Sequence, residues 1–138
     1  PGTYYLQSNI LFDINSILIG SSIGFLAVAV LCVNNIRDVQ SDSKVGKKTL
    51  VVRFGVNKIT ILYDIMIISS YLSILILIFK QDFYNQIGIL LLFLSSPIAV
   101  KLIIDIHKTS GKELNLILYR TAILIRTFSI LLLIGILL

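Results

Sequence analysis

The sequence predicts an all-α, polytopic transmembrane helix bundle, and three observations lead there. Of its 138 residues 57% are hydrophobic and only 14% charged, with a mean hydropathy of +0.96. An ordinary soluble domain is about 45–50% apolar and about a quarter charged. Uncharged runs are long enough to cross a bilayer, and nothing alternates with a period of two over ten-residue units. Helices, rather than barrel strands, then satisfy the backbone in lipid. The same composition excludes a disordered chain and a nucleic-acid-binding one, despite a net charge of +5. One cysteine and one histidine leave no disulfide framework and no Cys- or His-rich metal centre.

Four spans are expected. Ile14 to Ile36 holds no charge, and at about 1.5 Å per residue it crosses a hydrocarbon core of roughly 30 Å. Ile59 to Phe79 holds one charge, Asp64; Phe83 to Val100 holds none; Thr121 to Leu138 holds one, Arg126. The connections carry the basic residues. Asn34 to Lys58 has Arg37, Lys44, Lys47, Lys48, Arg53 and Lys58 against Asp38 and Asp42, and Lys101 to Arg120 has four basic residues against Asp105 and Glu113. Lys80-Gln81-Asp82 is short and neutral, and Pro1 to Asp13 has no basic residue. Positive-inside bias therefore expects both long loops in the cytoplasm and the short joint outside. Pro1 stands where Met would, and no charged n-region precedes an apolar stretch. The chain is thus expected to be a piece of a longer membrane protein, without a signal peptide.

The first long loop carries more than topology. Asn34, Asp38 and Asp42 recur at i, i+4 and i+8. If the first helix continues past the membrane surface, all three side chains share one face. Two carboxylates on adjacent turns do not both stay ionised cheaply unless a cation sits between them. A hard, oxygen-liking ion such as Mg²⁺ fits, since it takes one or two carboxylates and completes its shell with water and phosphate. Arg37, Lys44, Lys47 and Lys48 add donors suited to phosphate oxygens. The chemistry expected is a diphosphate held through metal at a cytoplasmic membrane surface. A bare D-x-x-x-D is usually a solvated loop; the amide-rich helix end and the Lys-Gly-Lys-Lys-like cluster make the pattern more specific.

Asn34-Asn35-Ile36-Arg37-Asp38, Asp42, Gly46-Lys47-Lys48-Thr49-Leu50 and Val52-Arg53-Phe54-Gly55 together resemble the second aspartate-rich motif of the intramembrane, UbiA-type aromatic prenyltransferases. Within that family the pattern is most similar to the 1,4-dihydroxy-2-naphthoate branch of menaquinone synthesis, as are Gly2-Thr3-Tyr4-Tyr5-Leu6-Gln7 and Gly111-Lys112-Glu113-Leu114-Asn115. The resemblance implies a nine-helix bundle in a bacterial cell membrane, four helices of it here. It also implies two aspartate-rich motifs at a cytoplasmic-side cavity, each holding Mg²⁺ on a prenyl diphosphate that alkylates an aromatic acceptor. Asp38 and Asp42 would be the metal ligands, and Asn34, Arg37, Lys44 and Lys47 or Lys48 the diphosphate contacts. The family's first motif is missing. Asn9 and Asp13 have the N-x-x-x-D spacing but stand 25 positions or more before Asp38, roughly 35–40 Å along a helix. They read instead as a polar outer cap. The chain is then the C-terminal half of the enzyme, in need of its N-terminal half and inactive alone.

Other residues are open to two readings. Asp64, six residues into the second span, is by default a functional-site candidate, yet it is near enough to Lys58 to reach the interface. Arg126 is expected to snorkel, His107 to be a solvated loop residue, and Cys32 to be a small packing residue. Gly20 and Gly24 form a G-x-x-x-G, whose ordinary meaning is close helix packing. Pro97 is expected to kink the third span. A transporter fragment would explain the spans, Asp64 and Pro97, but leaves the Asp38/Asp42/Lys cluster without a role. A non-catalytic scaffold explains topology alone. A prenyltransferase for 4-hydroxybenzoate or haem is the alternative within the enzyme class.

Overall fold

In the computed structural model, which describes residues 13–80 and 87–137, every regular element is helical. Helix α1 spans Ile14–Lys44. Asp13 starts it as the sequence predicts. Its carboxylate accepts from the Ser16 backbone N–H at 2.7 Å and its carbonyl from the Ser16 hydroxyl at 2.9 Å, which satisfies donors and acceptors at the open helix end. Asn9 lies outside the described residues. With 31 residues, α1 is about 46 Å long and overruns a hydrocarbon core of roughly 30 Å. The overrun is its polar C-terminal end, so the helix carries Asn34, Asp38 and Asp42 on one continuous face.

A five-residue helix, α2 (Leu50–Phe54), is anchored by the buried Val51. Gly55, at φ +86°, then turns the chain straight into α3 (Val56–Lys80). That backbone region is open almost to glycine alone. Helix α3 packs along α1, and α6 (Leu114–Leu137) also packs against α1.

The third expected span, Phe83 to Val100, is not one regular helix. Residues 81–86 lie outside the described chain; after them come α4 (Ile87–Leu90), a 3₁₀ segment (Leu91–Ser95) and α5 (Ser96–Ile106), all resting on α6. The cause is local. Pro97 has no N–H to give the preceding turn, and it stands in the first turn of α5, where that lack costs nothing. The helical path from Ile87 to Ile106 still covers roughly 30 Å. The expected loop Lys101 to Arg120 is likewise mostly helical, because α5 runs to Ile106 and α6 begins at Leu114 after a 3₁₀ turn at Gly111–Glu113.

Helices α1, α3 and α6 are each long and apolar enough to cross a membrane, and only 28–33% of their most apolar stretches is buried within the bundle. Several buried hydroxyls of the bundle are satisfied internally, as lipid demands. The hydroxyls of Ser22, Ser70, Ser73, Ser95 and Thr121 all donate to carbonyls three or four residues back. Because Thr121 spends its hydrogen on the Ile117 carbonyl, the fully buried Tyr63 is the donor in the 2.9 Å Tyr63–Thr121 bond that ties α3 to α6. Tyr71 donates to Ser95 in the same way at 2.7 Å and meets Phe128 edge-on at 5.3 Å. Cys32 is buried, as expected for a packing residue. The G-x-x-x-G expectation fails among the described residues: Gly20 and Gly24 are exposed, and a Cβ at Gly24 would meet nothing within 4 Å. Helices α3 and α6 sit on the other face of α1, the one carrying Leu26, Ala29 and Val33.

Candidate functional site

The polar end of α1 is shaped by how the helix stops. Gly46 sits at φ +73°, its N–H donates to the Ser43 carbonyl at 3.3 Å, and the Lys47 N–H donates to the Asp42 carbonyl at 2.9 Å. These are the paired bonds of a Schellman turn, in which a left-handed residue lets the chain fold back over the last helical turn. The fold-back brings the Lys47 ammonium to 3.2 Å from an Asp42 carboxylate oxygen. A helix that simply continued would carry Lys47 away from Asp42.

One turn earlier, Arg37 grips Asp38 with two parallel bonds: Nε to one carboxylate oxygen and Nη2 to the other, both at 2.7 Å. Such a fork is geometrically exacting as well as charged. Its Nη1 donates across to the Asn115 side-chain oxygen Oδ1 on α6 at 3.4 Å. The Arg37 hydrogen bonds hold the Asp38 carboxyl below the usual carboxylate range, burial opposes them, and the charges of Arg37 and Lys47 add to the lowering. Asp38 is half-exposed, whereas the Asp42 side chain is only 12% exposed. Asn34 is half-buried on the same face, and Lys44 and Lys48 are exposed. The structure therefore brings Arg37, Asp38, Asp42 and Lys47 into one charged cluster. Lys44 and Lys48 are near it in the chain but in no ion pair among the described residues.

Among the described residues no group of three or more His, Cys, Asp and Glu is arranged around a metal position. Two carboxylates on successive turns are nonetheless a donor set suited to Mg²⁺, which keeps water and phosphate for the rest of its shell. In this structure each carboxylate faces a cation of the chain itself, Asp38 that of Arg37 and Asp42 that of Lys47.

Two residues have partners that sequence reasoning missed. Asn115 was part of a matched motif without a role, and it meets Arg37. His107 is exposed at the end of α5, as expected of a solvated residue, but its Nε2 is 2.7 Å from Asp64 on α3. Asp64 does not turn to Lys58; its second oxygen is buried without a hydrogen-bond partner. A signal for this pair existed, since an in-span acid is expected to pair at its own depth. Asp64 and His107 both lie near the polar end.

A model of the UbiA prenyltransferase family matches residues 1–119. The 1,4-dihydroxy-2-naphthoate octaprenyltransferase of Haemophilus influenzae is 51% identical over 57 residues, 41% of this chain and 18% of that protein. The enzyme of the same name from Escherichia coli is 50% identical over 54 residues, 39% of this chain and 17% of that protein. The matched stretch thus spans less than a fifth of either relative's length. No solved structure matches. With three apolar helices of membrane-crossing length and a family match over most of its residues, this integral membrane chain belongs to the UbiA prenyltransferase family.

Proposed function

We propose that this chain is the part of a Mg²⁺-dependent aromatic prenyltransferase that carries its second aspartate-rich motif. The reaction is transfer of a polyprenyl group from prenyl diphosphate to 1,4-dihydroxy-2-naphthoate with loss of the carboxylate, which gives demethylmenaquinone in its hydroquinone form. The observation that carries this reading is the charged cluster at the end of α1: Asp38 and Asp42 on one helix face, each with its own cation. Stretches about half identical to two dihydroxynaphthoate octaprenyltransferases support the choice of acceptor. Asp38 and Asp42 would hold the metal. When bound, Mg²⁺ supplies positive charge that stabilises the departing diphosphate. Arg37 and Lys47 already stand against these carboxylates, so they are the nearest donors for diphosphate oxygens, with Lys44, Lys48 and Asn34 around them. Asn115 steadies Arg37 from α6. Such fixed cations favour a leaving group whose negative charge grows in the transition state. The acceptor ring carbon then attacks the allylic carbon as the carbon–oxygen bond breaks, and carbon dioxide departs from the alkylated ring.

The two polar segments meet at one end of the bundle, which together with their basic excess supports a cytoplasmic site in a bacterial inner membrane. The remainder of the site is expected from the N-terminal half of the enzyme. Full-length protein in membranes, offered dihydroxynaphthoate and 4-hydroxybenzoate in competition, tests the reading. Prenylated dihydroxynaphthoate should dominate the product. A preference for hydroxybenzoate would move the protein to another branch, and prenyl transfer by residues 1–138 alone would overturn the half-site assignment.

A further inference from the structure

Helices α5 and α6 line an open hollow of about 390 Å³ formed by Pro97, Ile98, Lys101, Leu102, Arg120 and Ile123. None of these residues belongs to α1 or to the turn after it. Four are apolar and two are cations. Lys101 stands five residues before the end of α5, and Arg120 stands six residues after the start of α6. The two helices form a hairpin closed by the Arg120–Asp105 bridge at 3.3 Å, so both cations lie about 8–9 Å inside the polar connection. That is the depth at which headgroups give way to acyl chains. Lys101 is exposed and has no ion pair among the described residues. Arg120 gives Asp105 one long bond and has no other protein acceptor among them. Topology alone would place basic residues in the connection; it would not set two of them one to two turns down the helices, around an apolar hollow.

We propose that this cavity is a binding site for an anionic phospholipid of the surrounding bilayer. The phosphate would meet Lys101 and the free edge of Arg120, and an acyl chain would lie against Pro97, Ile98, Leu102 and Ile123. Basic pockets between membrane helices at the headgroup level commonly take acidic lipids. Net charge at the mouth stays positive, because Asp105 offsets only one of the two cations.

The test uses full-length protein in nanodiscs with spin-labelled phosphatidylglycerol or phosphatidylcholine as the probe. Wild type should retain phosphatidylglycerol preferentially. Lys101→Gln should weaken that preference about fivefold, the effect of one basic residue near an anionic surface, while Lys101→Arg preserves it. Arg120→Gln should act similarly, but it also frees Asp105, so Lys101 carries the test should that variant misfold. Equal retention of both lipids by wild type would overturn the proposal, as would an unchanged preference in Lys101→Gln. Displacement of the bound phosphatidylglycerol by farnesyl diphosphate would overturn it too, by assigning the cavity to the prenyl donor.

Discussion

Replacing Gly46 with Ala isolates the turn that folds Lys47 onto Asp42. Gly46 is at φ +73°, and a Cβ there would meet nothing within 4 Å. The whole effect therefore comes from the backbone, which costs an L-residue roughly 1–2 kcal/mol in the left-handed region. The Lys47–Asp42 pair opposes that loss weakly: with Lys47 66% exposed, such a pair contributes at most about 1 kcal/mol. The turn should open, with its population falling by roughly five- to thirtyfold. In full-length enzyme the apparent affinity for prenyl diphosphate should fall by up to that factor, while the KM for the aromatic acceptor stays near wild type. Gly46→Asn is the control, because Asn adopts left-handed backbone more readily than Ala; it should retain more affinity. Unchanged KM for prenyl diphosphate in Gly46→Ala would refute the reasoning, as would equal losses in the Ala and Asn variants.

Further outcomes follow from the same geometry. Lys47→Gln should reduce kcat/KM for prenyl diphosphate roughly ten- to a hundredfold, the loss of a charged hydrogen bond, and Lys44→Gln should reduce it less. Five basic residues remain in that loop in either variant, so cysteine labelling should find the topology unchanged. For pH, Asp38 is held below its ordinary value of about 3.9, so its stabilising contribution is present above roughly pH 4 and is lost as pH falls through the lowered native value. Thermal unfolding of wild type and Asp38→Asn should therefore differ at neutral pH and converge in acid. Thr121→Val strands the buried Tyr63 hydroxyl and should cost about 1–3 kcal/mol, more than the ~0.6 kcal/mol typical of removing one interhelical bond in a membrane protein. Unfolding free energies of Thr121→Val and Tyr63→Phe in detergent compare the two.

Much of the fold was legible because lipid imposes simple rules. Uncharged runs marked α1, α3 and α6, and the i, i+4, i+8 spacing put Asn34, Asp38 and Asp42 on one face on the condition, met in the structure, that α1 continues past the membrane surface. A glycine after a polar helix end is a recognisable stop, which is the sequence signal for the turn found at Gly46. Charge proved a poor marker of helix ends. Lys101, Asp105 and Arg120 were read as loop, yet they lie within α5 and α6, where the Arg120–Asp105 bridge and the snorkelling stem of Lys101 make them tolerable. The 3₁₀ segment before Pro97 was foreseeable only as a kink. The Asp64–His107 and Arg37–Asn115 contacts join residues 43 and 78 positions apart; an in-span acid signalled that Asp64 needs a partner, but no local pattern names the partner of either residue.

The central claim is that Asp38 and Asp42 serve a metal-held diphosphate. Prenyl transfer by full-length Asp38→Asn and Asp42→Asn, measured across a Mg²⁺ titration with insertion and folding verified, tests it most directly. Each variant should lose orders of magnitude in kcat, because the charge of the leaving group goes uncompensated, and should need more Mg²⁺ to reach half of its residual rate. Activity within a few-fold of wild type in both variants, at unchanged Mg²⁺ dependence, would contradict the claim and return the end of α1 to a purely topological role.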